Sequence, residues 1–484
     1  MQGNSTVSWR DYSGEGFGAA SIEDVNNLNK ALTAGSAQNA PGSATAGDGF
    51  AMRVESLEQT LKNTTFRMEH VRLWKGIPKV AAMNTVEEYN QVQEYGQAGM
   101  GAFLSEGTLP SETDATYERK YAQVKFLGTT RKVSHVMSLV KPAHGNMIAQ
   151  ETVNGTMYLL RQLERSLFTG DSAIDALEFD GFDKLITDGA PANHVIDLRG
   201  QPLTEDNLVD GALTVMDAPA FGQPTHLHLN PTAKADLTKS FFPKARYDVF
   251  GKDSDGLVGL DMRGFTSPAG DIRFEPNVFI DDGGVKEAAA AGSGLSTIPI
   301  APTLGTLISV TSAASLWVVA DQGAYSYVVT AHSASGRSIA SAALAVDTSS
   351  ALTGQGAVGA GESVRFTITD AGTGTATAAA YYSIHRKDPG QSDHRFIQKL
   401  KVAAPAHAST TLFTDDNLNL PATTKAFMFQ QDLSNMSFKQ LAPMVKIPLA
   451  TIDSSIRWMQ LLYGVPVLYT PRHNVMFKNI GRAT

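Results

Sequence analysis

Two histidines one residue apart, His226 and His228 in "THLHLN", are the pattern in this chain that most resembles a metal site. Residues at i and i+2 of a strand point to one face, and two imidazoles on one face can hold zinc. Zinc needs further ligands, and the nearest acids, Asp217 and Asp236, fall outside the strand. Ordinary strand histidines are therefore the expectation. "GEGFG" at Gly14–Gly18 neither follows a strand nor opens a helix, and it has no Lys-Ser/Thr of a phosphate loop. "KDSDG" at Lys252–Gly256 and "TDDN" at Thr414–Asn417 are acidic loops without the ligand spacing of a helix-loop-helix calcium site. Asp and Asn closing turns with their own side chains explain both. Glu87 and Glu88 are neighbours, so they diverge on a strand or a helix and make no dyad. There is no G-x-S-x-G elbow. The chain has no cysteine, hence no thiol nucleophile, thiolate site or disulfide. No acid, base and nucleophile come together, and the expectation is a protein that is not an enzyme and needs no metal or cofactor.

The totals narrow the class further. The chain has 484 residues, with 40 Lys and Arg against 48 Asp and Glu, a formal charge of −8. Proteins that grip nucleic acid by charge are usually basic, so contact with DNA is expected to be by enclosure. No run approaches the ~18 apolar residues of a membrane span. No basic segment precedes an apolar core at the start, so a soluble protein made in a cytosol is expected.

What elements would position so little chemistry? Residues 1 to about 50 are rich in Gly, Ala, Ser and Asn and read as an arm that cannot bury a core alone. Val54, Leu57 and Leu61 then share one face of a short helix. Residues 66–135 read as a long hairpin. Its limbs partly alternate, its tip carries Gly96, Gly99 and Gly101, and its return strand runs through "YERKYAQVKFLG". Such a hairpin is hard to stabilise alone, so it is expected to pack on something outside this chain. In "YGQAGMGAF" the apolar anchors for such a contact are Tyr95, Met100 and Phe103. A helix of about six turns follows, with Asn146 as its cap, Ile148, Thr152, Met157, Leu160, Leu163 and Leu167 at helical spacing, and Gly170 as its C-cap.

"EFDGFDKLI" places a glycine turn between Phe179 and Phe182. Mixed α/β follows to about 283. Thr204 caps a helix whose buried face is predicted to be Leu208, Ala212, Leu213 and Met216, and Pro231 opens another helix. "GGVKEAAAAGSGLSTIPIAP" then reads as a linker into short alternating segments, the pattern of an antiparallel β-sandwich. Near 425 the earlier character returns, so the β-domain is inserted in a parent domain rather than appended to it.

"FLSEGTLPSETDATYERKYAQVKFLGTTRKVSH" resembles the extended-loop return strand of the major capsid proteins of tailed double-stranded DNA bacteriophages. Glu106, Gly107, Pro110, Ser111, Asp114 and Lys125 stand in the matching places. The long helix, "TGD" at Thr169–Asp171 and "FDGF" at Phe179–Phe182 resemble the family's spine helix and the turn after it, and "YGVPVLYTPRHNVMFKNIG" resembles its closing strands. The resemblance implies an α+β Hong Kong 97 capsid fold: an N-terminal arm over 1–65, an extended loop over 66–135, a peripheral domain with the spine helix over 136–190, and an axial domain over 191–283. The chain returns to both domains over 425–484. It implies inter-subunit contact through the loop residues Tyr95, Met100, Phe103 and Glu106. It further implies pentamers and hexamers of this chain in an icosahedral virion shell, assembled in a bacterial cytoplasm around double-stranded DNA. Scaffold, portal and decoration proteins are the partners implied. Some members join a loop lysine to a neighbour's asparagine, but Tyr95–Ser111 contains no lysine.

Residues 284–424 resemble a fibronectin type III or immunoglobulin-like module, through "GAYSYVVTAHSASGRS", "AAAYYSIHRKD" and "TTLFTDDNLNLP". Such a module is expected outside the shell and dispensable for it, so that Leu295–Leu420 could be replaced by a short link. Two other readings stand beside the virion shell. One is an encapsulin nanocompartment, disfavoured by the arm and the insert. The other is an adhesin or carbohydrate-binding protein built on the sandwich, disfavoured by the apolar C-terminal segment and the lack of a secretion signal.

Overall fold

The computed structural model describes residues 64–96, 103–110, 112–140, 145–241, 262–280, 298–305, 307–349, 357–372, 377–450 and 453–483. The "GEGFG" motif, the arm helix, Met100, "KDSDG" and most of the linker before the sandwich lie outside them. Every described helix and strand lies in one compact unit, Thr65–Val140 with Met147–Thr484.

The stretch expected as the first hairpin limb begins differently. Met68–His70 is a 3-10 turn and Leu73–Gly76 one helical turn (α1). Leu73 is its buried residue, with buried Val71 and Ile77 on either side, and Leu73 and Ile77 stand one helical turn apart. Strands β1 (Lys79–Ala81) and β2 (Val86–Glu94) follow, then β3 (Thr116–Gln123) and β4 (Lys125–Ser134). β2 and β3 form an antiparallel ribbon. The chain changes sheets at buried Val124, so β4 leaves the ribbon and joins a separate four-stranded sheet. After α2 (His135–Leu139) comes the long helix α3 (Met147–Thr169). It buries Leu159, Leu160, Leu163, Leu167 and Phe168 against α4 (Phe182–Gly189) and its neighbours. Gly170 ends α3 for a reason other than a left-handed cap. A Cβ there would meet the Phe179 carbonyl oxygen at 2.5 Å, and Gly181 N–H donates to the Gly170 carbonyl at 2.8 Å. The glycines of "TGD" and "FDGF" thus let two backbones touch.

A six-stranded sheet builds the next core. Its members before the insert are β5 (Val195–Asp197), β6 (His226–Leu229), β7 (Gly264–Ser267) and β8 (Gly270–Pro276). Helices α5 (Glu205–Met216) and α6 (Pro231–Phe241) cover it. Thr204 Oγ1 accepts from Asn207 N–H at 3.4 Å, which caps α5 as its sequence predicts. Its buried face is instead Leu208, Gly211, Ala212 and Val215, the i, i+3, i+4, i+7 set, while Leu213 and Met216 are exposed.

Residues 303–415 form two packed sheets with their own core. The strands are β9 (Thr303–Leu304), β10 (Ile308–Thr311), β11 (Ala324–Ser333), β12 (Gly336–Arg337), β13 (Leu344–Asp347), β14 (Glu362–Thr369), β15 (Tyr381–Lys387), β16 (Arg395–Lys401) and β17 (Thr410–Asp415). One sheet runs β10-β14-β17 with β9 on β14, and the other runs β12-β11-β15-β16 with β13 on β11. Trp317, Tyr327, Phe366, Tyr382 and Phe413 fill the space between them.

The chain then returns to the parent sheets through β18 (Thr424–Phe429), β19 (Met436–Pro448), β20 (Ser455–Leu468) and β21 (Val475–Ile480). The six-stranded order β5-β21-β18-β6-β8-β7 seats β18 beside β6, and β6 beside β8. The sandwich therefore leaves after β8 and re-enters at β18 of the same sheet. β18 alternates with period two: Ala426 and Met428 face the core of the six-stranded sheet, and Phe427 and Phe429 face the core around α3. The other four-stranded sheet runs β1-β19-β20-β4. This α+β arrangement, with a two-stranded loop, a spine helix and two parent sheets, has the element order that the Hong Kong 97 resemblance implies.

Candidate functional site: the ribbon and its two faces

The β2–β3 ribbon pairs Val86 with Gln123, Glu88 with Tyr121, Asn90 with Arg119 and Val92 with Tyr117. Strand alternation divides it into two unlike faces. On the inner face, Tyr89 meets Tyr469 edge-on at 5.2 Å. Gln91 Nε2 donates to the Tyr469 carbonyl, and Arg472 Nη2 donates to Gln93 Oε1 at 3.2 Å. Burial first, then Tyr469 and Glu118, pushes the Tyr89 hydroxyl up to about 12, so it stays a neutral phenol. Lys120 Nζ lies 2.8 Å from Glu118 Oε1, and its hydrogen bond is the main cause that holds that carboxyl below its ordinary value. Beneath the ribbon lies a groove of about 1160 Å³, lined by Gln91, Lys120, His194, Leu213 and Arg472 among others.

The outer face is different. Val86, Val92, Tyr117 and Tyr121 are exposed, the two tyrosines at 72% and 76%. Arg119 and Glu88, 3.4 Å apart, pair across it. At the tip Tyr95 is 91% exposed, Phe103 fully so and Leu109 92%. Glu106 is exposed beside Gly107, whose φ of +84° closes the Glu-Gly turn while Thr108 N–H donates to the Ser105 carbonyl at 3.2 Å. Tyr95, Phe103 and Glu106 thus share exposure rather than contact. Tyr117, Tyr121 and Leu109 belong with them, and the alternation of "TYERKYAQ" was the signal that could have found the two tyrosines.

The residues weighed for chemistry sit elsewhere. His228 is buried between Phe168 and Phe429, with ring centroids at 6.2 and 5.6 Å, and burial pushes it down to about 3. His226 Nδ1 lies 2.9 Å from Thr225 Oγ1. Asp236 is buried in α6 beside Lys239, at 2.9 Å. Among the described residues no three His, Asp or Glu gather as a metal cluster. Glu87 bonds the backbone at Met83 and Asn84, at 2.7 and 3.1 Å, on the opposite face from Glu88. "TDDN" closes its turn as expected, with Asn417 N–H donating to Asp415 Oδ1 at 2.9 Å. It also does something unexpected. Asp415 Oδ2 accepts from Tyr327 Oη and Arg386 Nη1, both at 2.8 Å, in a buried pair that fixes the sandwich interior. Arg386 carries a pKa raised above its ordinary value even though burial, the largest influence, opposes it; Asp415 and Asp388 prevail.

Glu164 is another buried ionisable residue that periodicity missed. It lies in the apolar stripe of α3, fully buried, and accepts from the N–H groups of Arg72 (3.0 Å), Leu73 (2.7 Å) and Trp74 (2.9 Å) and from Asn277 Nδ2 (2.6 Å). It ties the strand of chain that leads into the ribbon to the spine helix.

No family model matches the chain. Curated relatives do. The major capsid protein of Staphylococcus phage K is 25% identical over 448 residues, covering 90% of this chain and 91% of the relative. That of Staphylococcus phage S25-3 is 25% identical over 458 residues, with the same coverage. Among solved structures, the capsid of an empty GTA particle matches with a TM-score of 0.46 at 10% identity, covering 92% of this chain and all of that one. Gordonia phage Cozz matches with a TM-score of 0.44 at 11% identity, covering 91% and 96%. The SrpI encapsulin of Synechococcus elongatus matches with a TM-score of 0.39 at 8% identity, covering 91% and 97%.

Proposed function

We propose that this chain, a relative of phage major capsid proteins along nine-tenths of its length, is the repeating subunit of an icosahedral shell that encloses double-stranded DNA. The coextensive match to those relatives carries the reading. The ribbon supports it from physics. A two-stranded ribbon is marginal in water, and this one buries only its inner face on its own body. Its outer face and tip keep Tyr95, Phe103, Tyr117 and Tyr121 in solvent. Aromatic anchors of this kind dominate interface energies once seated in a pocket, and a closed shell repeats one such contact many times. A formal charge of −8 suits a container that does not trap its cargo on the wall.

Pentamers and hexamers of the chain are the expected capsomers, with Tyr95, Met100, Phe103 and Glu106 on the neighbouring subunit. Scaffold and portal proteins are the expected assembly partners, and a bacterial cytoplasm the place of assembly. The two-sheet insert is read as an immunoglobulin-like module facing outward. The experiment is electron microscopy of the purified full-length protein. Closed shells of uniform diameter are expected. A population that stays monomeric under every assembly condition, with or without co-expressed phage partners, overturns the reading.

A further inference from the structure

The sandwich rejoins the parent fold through residues 416–423, and the backbone at this junction is unusual. Among the described residues six other than glycine have a positive φ, and four of them lie here. Asn417 (57°) and Ala422 (60°) belong to the returning chain, and Arg199 (49°) and Asn479 (55°) to the parent fold beside it. Asn tolerates left-handed backbone, whereas a residue such as Arg adopts it at a cost. Such strain persists only where the surroundings over-determine it, and it gathers at clamps and switch regions. The hydrogen bonds at the junction supply that over-determination. On the parent side Arg199 N–H donates to Asp197 Oδ1 at 3.0 Å, and Gly200 N–H donates to the Asn479 carbonyl at 2.8 Å. Asn479 is buried; its Nδ2 donates to Asp197 Oδ1 at 2.8 Å and to the Leu418 carbonyl at 2.9 Å, and its Oδ1 accepts from Leu420 N–H at 3.0 Å. On the sandwich side Asn417 is buried too. Its N–H donates to Asp415 Oδ1 at 2.9 Å, its Oδ1 accepts from Arg386 Nη2 at 3.0 Å, and its Nδ2 donates to Asp321 Oδ2 at 3.2 Å.

One side chain spans the two sides. Arg199 Nη1 donates to the Asn417 carbonyl at 2.7 Å, and its Nη2 donates to the Leu316 carbonyl at 3.1 Å. Leu316 is itself tied into the sandwich, with its N–H on the Asp416 carbonyl at 2.8 Å. We propose that Arg199 is the positioning residue of a rigid joint: braced left-handed by the parent sheet, its guanidinium grips two carbonyls of the sandwich and sets that module at one fixed angle. A single bond is a pivot, but a planar fork on two fixed acceptors restrains rotation as well as distance. Packing is a poor alternative for this role, because a cavity of about 340 Å³, lined by Thr169, Phe396, Gln398 and Lys425 among others, opens between the two bodies. The ion pair of Lys399 with Glu178, at 3.4 Å, is longer than a strong charge-assisted bond. A rigid mount keeps the outer surface of the module in a constant direction, which lowers the ordering cost of any contact it makes. This joint is a property of the single chain and holds whether or not the chain builds a shell.

The test measures a distance across the joint in unassembled full-length protein. The chain has no cysteine, so Asp206→Cys on α5 and Ala404→Cys on the sandwich, both at exposed positions, take nitroxide labels without competition. Pulsed dipolar spectroscopy is expected to show one narrow distance population. Arg199→Gly keeps the left-handed backbone without strain and removes the guanidinium. It is expected to replace the narrow population by a broad one and to open residues 418–420 to thermolysin. Arg199→Lys, a point charge in place of the fork, recovers part of the narrow population. Lys399→Met, which breaks the contact with Glu178, and Arg119→Gln on the ribbon are expected to leave it narrow. Circular dichroism reports folding. If Arg199→Gly loses its fold, Arg199→Gln takes its place with the same expectation. Loss of fold by both overturns the proposal, because Arg199 then serves the parent fold and not the joint. A broad population in the otherwise unchanged protein overturns it, as does an unaltered narrow one in the folded Arg199 variant, or broadening by Lys399→Met to the same extent.

Discussion

Replacing Glu164 by alanine removes one side chain and strands four donors. Three are the backbone N–H groups of residues 72–74 at the start of a one-turn helix, which has no internal acceptors for them. The fourth is the Asn277 amide, itself fully buried. Each buried donor left unpaired costs about 1–3 kcal/mol. Two effects offset part of that loss: a desolvated charge disappears, and water can enter the space left. A net loss of about 3–5 kcal/mol is expected, the range for breaking a buried charged network, against a typical total of about 5–15 kcal/mol. Glu164→Gln keeps one acceptor oxygen but turns an NH2 toward the Trp74 N–H, which costs about 1–3 kcal/mol. Burial is the largest influence on the Glu164 carboxyl and raises it above 4.5, although the four donors pull the other way. The wild-type contribution is then full below pH 4.5 and declines as pH rises through the folded value. Glutamine does not titrate, so its cost relative to wild type is expected to be larger at pH 4 than at pH 7. Urea unfolding of full-length subunits measures the losses, and amide exchange at residues 72–74 localises them, since the sandwich has its own core and can unfold separately. A loss below about 1 kcal/mol for alanine, with exchange at 72–74 unchanged, refutes the assigned role.

Replacing Gly96–Gly101 by a two-residue turn is expected to leave folded subunits or capsomers that do not close; full-size shells in normal yield, seen by electron microscopy, would refute the contact role of the tip. His228, buried neutral and held to about 3 against 6.5 unfolded, contributes stability that is complete above pH 6.5 and lost as pH falls toward 3. That is up to about 5 kcal/mol, so His228→Phe is expected to lower the acid-unfolding midpoint, and identical midpoints would contradict it. Deleting residues 298–416 behind a Gly-Ser link keeps the Leu420 N–H bond to Asn479 Oδ1 at 3.0 Å. It is expected to preserve assembly and remove one outward protrusion per subunit in averaged micrographs; aggregation alone, or protrusions pointing inward, would contradict a decorative role.

Local periodicity explains which elements could be read from residues. α3 was legible because its apolar positions recur over 23 residues between Pro142 and Gly170, long enough for a 3.6 period to stand out. The re-entry of the parent domain was legible from composition, because the sandwich is rich in Thr, Ser and Ala and its flanks are not. What failed needed long-range information. Leu213 and Met216 are apolar enough for a core, yet which stripe of α5 faces the sheet is set by Phe477, which approaches Gly211 too closely for any Cβ. The sheet switch at Val124 leaves an unbroken alternating run, so nothing local marks where β3 ends. Glu164 looks like a surface residue of a helix until the chain 90 residues earlier places three N–H groups on it. Buried charges are invisible to periodicity for this reason: their partners, not their spacing, license them.

The same distinction bears on the ribbon. Its inner face could have been buried by an ordinary core, and the chain instead uses Tyr469 and Arg472, two residues at a strand end, to hold it at a few points. Its root is fixed far more firmly. β4 continues directly from the ribbon and pairs along ten residues with β20, while Glu164 clamps the entering strand of chain to the spine helix. A rigid root with a lightly held, aromatic outer face is what an inter-subunit contact requires. The root sets the direction in which the ribbon projects, which lowers the ordering cost when a neighbour binds. An enzyme site calls for the opposite arrangement, with the reactive face held more tightly than its support. Three ionisable groups that β2 and β3 carry are committed to structure: Glu87 to the backbone at Met83 and Asn84, Glu88 to Arg119, and Glu118 to Lys120.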